Sequence, residues 1–366
     1  MVVAASVVVA VGTVAGLVSA SDGGHPSADA DPRTTRRAAP GPLPGASTSS
    51  RASAGPSPSG RASPSPAREP SRSRRTAAAP GRLYRHPDSQ VRDWVDTHAG
   101  DARRAVIESR IADRPAAVWF ADFTPSTITA RVRAVTSAAS AAGRVPVVVP
   151  YAIPQRDCGG ASDGGAPDFA AYDGWIDRFA AGLGSGEVVV VLEPDAIAQS
   201  DCLGEGGRAD LFASLARAGR AMKAADPRAR VYYDAGNSDW NPAAEQAALL
   251  RRAGAAAPAS SDGIFTNVSN FNRTDDEIAY ARRVLSALGG PAGLGAVIDT
   301  SRNGNGAAAD GEWCDPAGRR IGRAPTLSTG QAGIDAYLWV KLPGESDGCK
   351  GEPGTFSAEY AYELAR

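Results

Sequence analysis

Two carboxylates stand directly after an unusually apolar run near the middle of the chain. Residues 188–192 form a continuous run of aliphatic side chains, and Glu193, Pro194 and Asp195 follow at once. Such a run predicts a strand buried on both faces, which must end at the proline because proline cannot extend a central strand. The carboxylates therefore lie at the carboxyl-terminal edge of a sheet, where α/β folds bind their ligands. Asp195 is the leading candidate for a proton donor.

Polar residues follow almost every other predicted strand in the same way. Because the carboxyl ends of parallel strands share one edge, these residues should converge on one cleft. Several carboxylates crowded together are hard to explain by structural roles alone, since like charges in proximity are unfavourable. An acid paired with a second carboxylate suits the cleavage of a glycosidic bond, in which one group protonates the leaving oxygen while the other handles water. The residues are Tyr151, Asp157, Asp234, Asn267, Asp299, Lys341, Glu345 and Asp347.

Three tryptophans lie beside predicted strand ends or glycine-rich loops. They are Trp119, Trp240 and Trp313. Packing in the core is an equally good interpretation for any one of them, but the three together favour a cleft in which indole faces stack on sugar rings. Asn267, which follows a predicted strand, is included among the candidate substrate contacts.

The elements that would position these residues alternate along residues 83–366. Seven apolar runs predict strands, and helical patterns separate them, which predicts a single domain built as a distorted parallel α/β barrel or wound sheet. The predicted strands are 117–120, 145–150, 188–192, 231–233, 263–266, 296–298 and 337–340. The predicted helices are 127–142, 169–183, 209–225, 243–255 and 275–288.

The four cysteines should pair, because the amino terminus predicts export. Four cysteines allow three connectivities. We choose Cys158 with Cys202 and Cys314 with Cys349, since the first bridge would tie together two loops that carry candidate carboxylates, and the second would hold Trp313 near Asp347.

The amino-terminal 82 residues differ in composition from the rest. Residues 2–18 are apolar and are followed by a small-residue cleavage pattern, so residues 1–20 are predicted to be a signal peptide of a secreted protein, with a membrane anchor as the alternative. Residues 21–82 are rich in Pro, Ser and Arg and predict a disordered linker. The chain carries a net charge of −1 although residues 31–82 hold ten arginines and two acids, so the remainder is mildly acidic. This argues against nucleic acid as a partner.

Other chemistries find little support in the sequence. Residues 301–306 (SRNGNG) lack the Gly-Lys-Ser/Thr ending of a phosphate loop. No Gly-x-Ser-x-Gly nucleophile elbow directly joins a predicted strand to a predicted helix, and none of the three histidines follows a predicted strand, which argues against a Ser-His-Asp hydrolase. No close Cys/His spacing indicates zinc.

Seven motifs, in order, resemble those of glycoside hydrolase family 6. They are YAIPQRDC, VVVLEPDAI, YYDAGNSDW, TNVSN, VIDTSRNGNG, EWCDP and LWVKLPGESDGC. The resemblance covers nearly all of residues 83–366. It implies a distorted seven-stranded α/β barrel, hydrolysis of β-1,4-glucan with inversion, and no metal or organic cofactor. We expect a monomer.

The resemblance also implies roles for individual residues. Asp195 matches the general acid, Asp157 the residue that raises the pKa of the acid and helps to hold the attacking water, and Asp347 the candidate base. Tyr151 matches a tyrosine under the reactive sugar, and Asp234 an aspartate that supports the site. Substrate-binding positions are matched by Trp119, Trp240, Trp313, Lys341 and Glu345.

Three positions depart from the family pattern. Ala152 stands where Asn is common, Asp163 where a Ser often helps to hold water, and Asn237 where a His is usual. An extra anion at Asp163 would raise the pKa of the acid further or displace the water. The compact chain favours an open cleft and endo action; exo action and a non-catalytic glucan-binding protein are the alternatives.

Overall fold

A parallel sheet of seven strands lies at the centre of the computed structural model, which describes residues 82–366. The seven strands neighbour one another in chain order, and a separate two-stranded parallel sheet is formed by β1 (Arg82–Leu83) and β3 (Arg144–Val145). Every predicted strand is present within a few residues. The seven are β2 (Val118–Phe120), β4 (Val147–Pro150), β5 (Val188–Leu192), β6 (Ala229–Asp234), β7 (Gly263–Thr266), β8 (Gly295–Asp299) and β9 (Ile334–Leu338).

The sheet is buried on both faces, which explains why its strands are apolar without alternation. In β4, Val147 and Val149 belong to the hydrophobic cluster on one face, whereas Val148 packs in the larger cluster that includes the helices. All five residues of β5 are buried.

Helices cover one face of the sheet. Those between the central strands lie close to the predicted positions, whereas α1, α2 and α8 were not predicted. Ser89 and Ser357 cap α1 and α8 by accepting bonds from the amides of Arg92 and Tyr360, a signal present in the sequence. The helices are α1 (Gln90–Thr97), α2 (Arg104–Ile107, continued by a π-helical turn), α3 (Ile128–Ala141), α4 (Phe169–Gly182), α5 (Glu205–Ala225), α6 (Ala243–Arg252), α7 (Thr274–Leu288) and α8 (Ala358–Ala365).

The sheet curls into a barrel that is not fully closed, because its two edge strands do not pair with each other. The strands β2 and β9 are the two edges. They approach where the Ala117 amide donates to the Trp339 carbonyl at 2.9 Å, and where the Trp119 indole donates to the Val340 carbonyl at 2.7 Å. The prediction of a distorted parallel α/β barrel in one catalytic domain is confirmed.

The predicted signal peptide and most of the predicted linker lie outside the described residues. The first described residue, Arg82, pairs with Arg144 in the small sheet. Among the helices of residues 82–366, none has the length and apolar character needed to cross a bilayer.

Candidate active site

The main predicted residues come together at the carboxyl ends of β4, β5, β6 and β9. The Asp195 carboxyl lies close enough to Asp234, Asp157 and Lys341 for their charges to affect its pKa. Burial raises the pKa of the Tyr151 hydroxyl, and the charges of Asp195 and Asp157 raise it further. Residues that come from the loops after β4, β5, β6 and β9 therefore share one site, as the parallel topology predicts.

Asp195 is the most perturbed carboxyl of this group. Burial raises its pKa well above the usual range, and the negative charges of Asp234 and Asp157 raise it further, while Lys341 opposes them. The residue also has a left-handed backbone with φ of 70°, which non-glycine residues adopt rarely and often at functional sites. Such a carboxyl retains its proton at a pH where ordinary aspartates are ionised.

Glu193 fixes the neighbouring loop after β4. It is completely buried, and its carboxylate accepts hydrogen bonds from the amides of Ala152 at 2.9 Å and Ile153 at 3.0 Å. Burial raises its pKa to about 7, although these amide bonds act in the opposite direction. Glu193 is therefore a structural tie between two loops.

Asp234 fixes the loop that carries Asp195. Its carboxylate accepts from the amides of Ile197 at 3.1 Å and Ala198 at 2.9 Å, as well as from Gly236. Burial raises its pKa to about 6, against the effect of these bonds. The predicted supporting role of Asp234 thus has a geometric basis.

Asp299, at the end of β8, is also a buried carboxylate that is bonded to backbone amides of the surrounding loops. Its carboxylate accepts from the amides of Ser301, Lys341 and Ser269 at 2.9 to 3.2 Å. The crowding of carboxylates at the rim, which was hard to explain by structural roles alone, does have a structural explanation for Glu193, Asp234 and Asp299. Each of them is satisfied by backbone amides of the loops around it.

Asp157 lies on a loop that is held at several points. Its Oδ2 accepts from the Ser162 amide at 2.7 Å. The adjacent Cys158 is bridged to Cys202 with the Cα atoms 6.2 Å apart, and Cys314 is bridged to Cys349, so both predicted disulfides are present. The first bridge ties the loop of Asp157 to the loop of Asp195.

Arg156 organises the same loop, which the sequence had not indicated. Its guanidinium donates to the carbonyls of Ala121, Tyr151 and Ser162, each at 2.6 Å. It also lies 4.7 Å from the centre of the Tyr151 ring. Arg156 therefore fixes both the aromatic ring and the backbone from which Asp157 projects.

Asp347 is held between two cations. Arg302, which is fully buried, donates to Asp347 Oδ2 at 2.7 Å, and the Lys341 ammonium lies 3.4 Å from Oδ1. Arg302 also contacts the Tyr360 hydroxyl at 3.2 Å. Both oxygens of the Asp347 carboxyl therefore contact a cationic side chain, which fixes its orientation.

Asp315 orders the loop of Asp347 and was not singled out from the sequence. It accepts from the backbone amides of Asp347, Cys349 and Lys350 at 2.8 to 3.1 Å, and from the Ser346 hydroxyl. Burial acts to raise its pKa, but these bonds outweigh it and hold the pKa below the usual range. The Cys314–Cys349 bridge joins the same two segments.

The candidate substrate contacts are not equivalent. Trp313 and Trp240 are 59% and 36% exposed, so their rings are available to a ligand. Trp119 packs edge-on against Tyr151 with ring centres 5.2 Å apart. Glu345 accepts a hydrogen bond from Gln90, and burial raises its pKa to about 7.

Asn267 does not fit the predicted role of a substrate contact. It is completely buried, and its side chain donates to the carbonyls of Asp299 at 2.9 Å and Asn272 at 3.3 Å. Its backbone has a φ of 67°. Asn267 therefore shapes the turn after β7 from within the protein.

The three departures from the family pattern occupy different environments. Asp163 is exposed and accepts from the amide of Gly164, and it is not among the charges that act on Asp195. Asn237 is buried and accepts from the side chain of Asn272 and the amide of Asp239. Ala152 is buried beside Glu193.

The family profile described as "Glycosyl hydrolases family 6" matches residues 80–364. The chain belongs to this family. The family 6 protein is 55% identical over 284 residues to Endoglucanase 1 of Streptomyces sp. (strain KSM-9), with 77% of each chain covered. It is 50% identical over 284 residues to Endoglucanase A of Thermobispora bispora, covering 77% of this chain and 61% of that protein.

Solved structures agree with this family 6 assignment. The endoglucanase Cel6 of Mycobacterium tuberculosis, solved in complex with a methyl-cellobiosyl-4-deoxy-4-thio-β-D-cellobioside, superimposes with a TM-score of 0.72 at 39% identity. The match covers 78% of this chain and 97% of that chain. The family 6 protein is thus a glycoside hydrolase, and its recognition from sequence motifs is confirmed.

Proposed function

We propose that the protein is a secreted endo-β-1,4-glucanase that acts with inversion, using Asp195 as its general acid. The observation that carries this proposal is the Asp195 carboxyl, whose pKa is raised by burial and by the charges of Asp234 and Asp157. A protonated carboxyl at neutral pH can donate to the leaving glycosidic oxygen. The relatives named as endoglucanases, at 50% and 55% identity, support a cellulase that cleaves internal bonds.

Asp157 and Asp347 are assigned complementary roles. Asp157 raises the pKa of Asp195 and helps to position the attacking water. Asp347, whose carboxyl is held in place by Arg302 and Lys341, is the candidate base. Inverting enzymes need about 6.5 to 9.5 Å between their two carboxyl groups so that a water molecule fits between them.

Endo action is also supported by the exposure of the aromatic residues. Trp313 and Trp240 remain open to solvent. Indole faces that are open in this way can receive the interior of a long chain and stack on its sugar rings. The substrate class we propose is therefore a soluble or amorphous β-1,4-glucan.

The first test is hydrolysis of carboxymethylcellulose, followed by viscosity and by reducing-sugar release. Endo action predicts a rapid loss of viscosity relative to the sugar released, and no loss with Asp195→Ala. Slow viscosity loss with cellobiose release would replace endo by exo action. Glucan binding without any hydrolysis would favour the non-catalytic alternative. Inversion predicts that the first product observed by NMR is the α-anomer.

Secretion is supported by the two disulfides, because such bonds persist in oxidising compartments. Amino-terminal sequencing of the protein from a culture supernatant would test it. A mature terminus at or near Ser21 is the expected result. Recovery of the intact chain only in the membrane fraction would instead support the anchor.

A further inference from the structure

A cavity lies on the amino-terminal side of the barrel, away from the rim that carries the carboxylates. Its volume is about 380 Å³, within the range of small-ligand sites. Pro115 and Arg144, which line it, come shortly before β2 and β4, whereas Tyr151 and Asp195 follow the strands at their other ends. Because the strands are parallel, the cavity and the proposed active site lie at opposite ends of the barrel.

The lining of this cavity is strongly basic. It includes four arginines and a single acid, Asp113, together with hydroxyl-bearing residues of the segment 324–328. Asp113 is already engaged, because it lies 3.4 Å from Arg92 in an ion pair. The four arginines are Arg82, Arg85, Arg114 and Arg144.

Within residues 82–366 these arginines have almost no partners. The Arg85 guanidinium makes one long hydrogen bond, 3.4 Å to the Ala112 carbonyl, and none of the four forms an ion pair with a described acid. Other arginines of the same domain do form such pairs; Arg217, for example, lies 2.7 Å from Asp177. The four cavity arginines are exposed, and no carboxylate of the described residues competes with an external anion for them.

The backbone places two of these charges next to each other. Arg82 and Arg144 are direct partners in the parallel pairing of β1 with β3. Like charges directly opposite each other in a sheet are destabilising. A bound anion would convert this repulsion into attraction.

From these observations we infer that the cavity binds neighbouring phosphate groups, either in a free pyrophosphate-type molecule or along a polyphosphate-type chain. Guanidinium groups hold phosphate through paired hydrogen bonds, and several of them around one cavity suit more than one phosphate. The site is separate from glucan hydrolysis and does not depend on the proposed function.

The test measures pyrophosphate binding to the full chain by calorimetry, comparing wild type with the double variant Arg114→Gln/Arg144→Gln. The matched control is Arg178→Gln/Arg220→Gln, which removes the same charge from exposed arginines on α4 and α5. Loss of two charge-assisted contacts should weaken binding by about tenfold in the site variant and leave the control like wild type. Because all variants retain the arginines of residues 31–75, non-specific attraction to that segment is common to them.

Each outcome decides the proposal. Equal weakening in the site and control variants, or no saturable binding of either pyrophosphate or long-chain polyphosphate by wild type, would overturn it. Parallel titrations with long-chain polyphosphate and with inorganic phosphate distinguish a polyphosphate chain from a free small ligand. Tighter binding of the polymer that depends on Arg114 and Arg144 would identify a chain, whereas stronger binding of pyrophosphate per phosphate would identify a free ligand. Hydrolytic activity of the site variant checks that it is folded.

Discussion

The two ends of the barrel carry opposite charges, and these charges differ in how fully they are paired within the protein. At the carboxyl-terminal rim, Glu193, Asp234 and Asp299 are completely or almost completely buried, and each accepts two or more hydrogen bonds from backbone amides. At the amino-terminal cavity, the arginines have no carboxylate partner among residues 82–366. Arg82 and Arg144 lie side by side in the small sheet.

This difference separates charges that build the fold from charges that are available to a ligand. A buried carboxylate surrounded by amide donors is already satisfied, and its removal leaves those donors without a partner. An unpaired guanidinium contributes little to the folded state. Asp195 differs from both cases: it lies among the satisfied carboxylates, but its pKa is raised by burial and, in addition, by the charges of Asp234 and Asp157.

The largest expected effect comes from Asp195→Asn. If Asp195 supplies the proton, kcat on an unactivated β-glucan should fall by about 10²- to 10⁴-fold, the usual contribution of a general acid. The fall should be much smaller on an aryl cellobioside whose leaving group needs no proton. Stability in urea should change little, since other carboxylates tie the loops.

Asp201→Asn is the matched control for this experiment. Asp201 is an exposed acid in the segment that follows Asp195, and it should leave both kcat and stability unchanged. The contradicting outcome is an Asp195 variant that loses stability together with activity and shows the same loss on both substrates. Asp195 would then be a structural carboxylate like Glu193, Asp234 and Asp299.

The next effect concerns Asp234, whose carboxylate holds the loop of Asp195. Asp234→Ala leaves the amides of Ile197, Ala198 and Gly236 without their acceptor, so the free energy of unfolding should fall by about 3 kcal/mol. Asp234→Asn keeps one oxygen and should lose less. Urea denaturation measures the stability of both variants. If Asp234→Ala were as stable as wild type, the hydrogen bonds to Asp234 would not stabilise this loop.

Asp234→Asn also sharpens the assignment of the acid. Since Asp234 helps to raise the pKa of Asp195, removal of its charge should lower that pKa. The rate requires protonated Asp195, so the alkaline limb of the pH–rate profile should move to lower pH. An unmoved alkaline limb would show that Asp234 acts only through structure.

The clustering at the rim was predictable from the sequence because parallel topology alone decides which strand ends meet. The apolar run before Glu193 and the proline after it were sufficient to place Asp195 there. The ties made by Glu193 and Asp234 were not predictable, since their amide partners lie about 40 residues away in the chain. Only the folded geometry shows that these carboxylates are already satisfied.

Residues in irregular loops were the ones that sequence reasoning missed. Arg302 lies in a segment that was considered as a phosphate loop and as a family motif without a role for this residue, yet it is buried and pairs with Asp347. Asp315 lies in the EWCDP motif, but its role depends on the position of the loop after β9. Asn267 was assigned to the substrate because its position after a strand resembles that of Asp195, whereas the structure shows its side chain buried and bonded to the carbonyls of Asp299 and Asn272.

The pH dependence of stability should also distinguish the two ends. The pKa of Glu193 rises from an ordinary 4.5 to about 7 in the folded protein, so the folded state holds a proton that the unfolded state has released between these values. Stability from this group is therefore present at low pH and lost as pH rises towards 7. Glu193→Gln should gain about 3 kcal/mol relative to wild type between pH 4.5 and pH 7, because the two pKa values differ by about 2.5 and each pH unit contributes about 1.4 kcal/mol. Urea denaturation across this range would check the trend, and parallel curves for the two proteins would contradict it.

Arg144→Gln should produce the smallest effect on stability, and this effect should be a gain. Removing one of two adjacent like charges should stabilise the ligand-free protein by about 0.2 to 1 kcal/mol, and added salt should reduce the gain by screening the repulsion. Arg178→Gln, on an outer helix, should be neutral. Because arginine does not titrate, the gain should be independent of pH, unlike that of Glu193→Gln. If Arg144→Gln were destabilising by more than 1 kcal/mol, this arginine would be part of the fold, and the two ends of the barrel would use their charges in the same way.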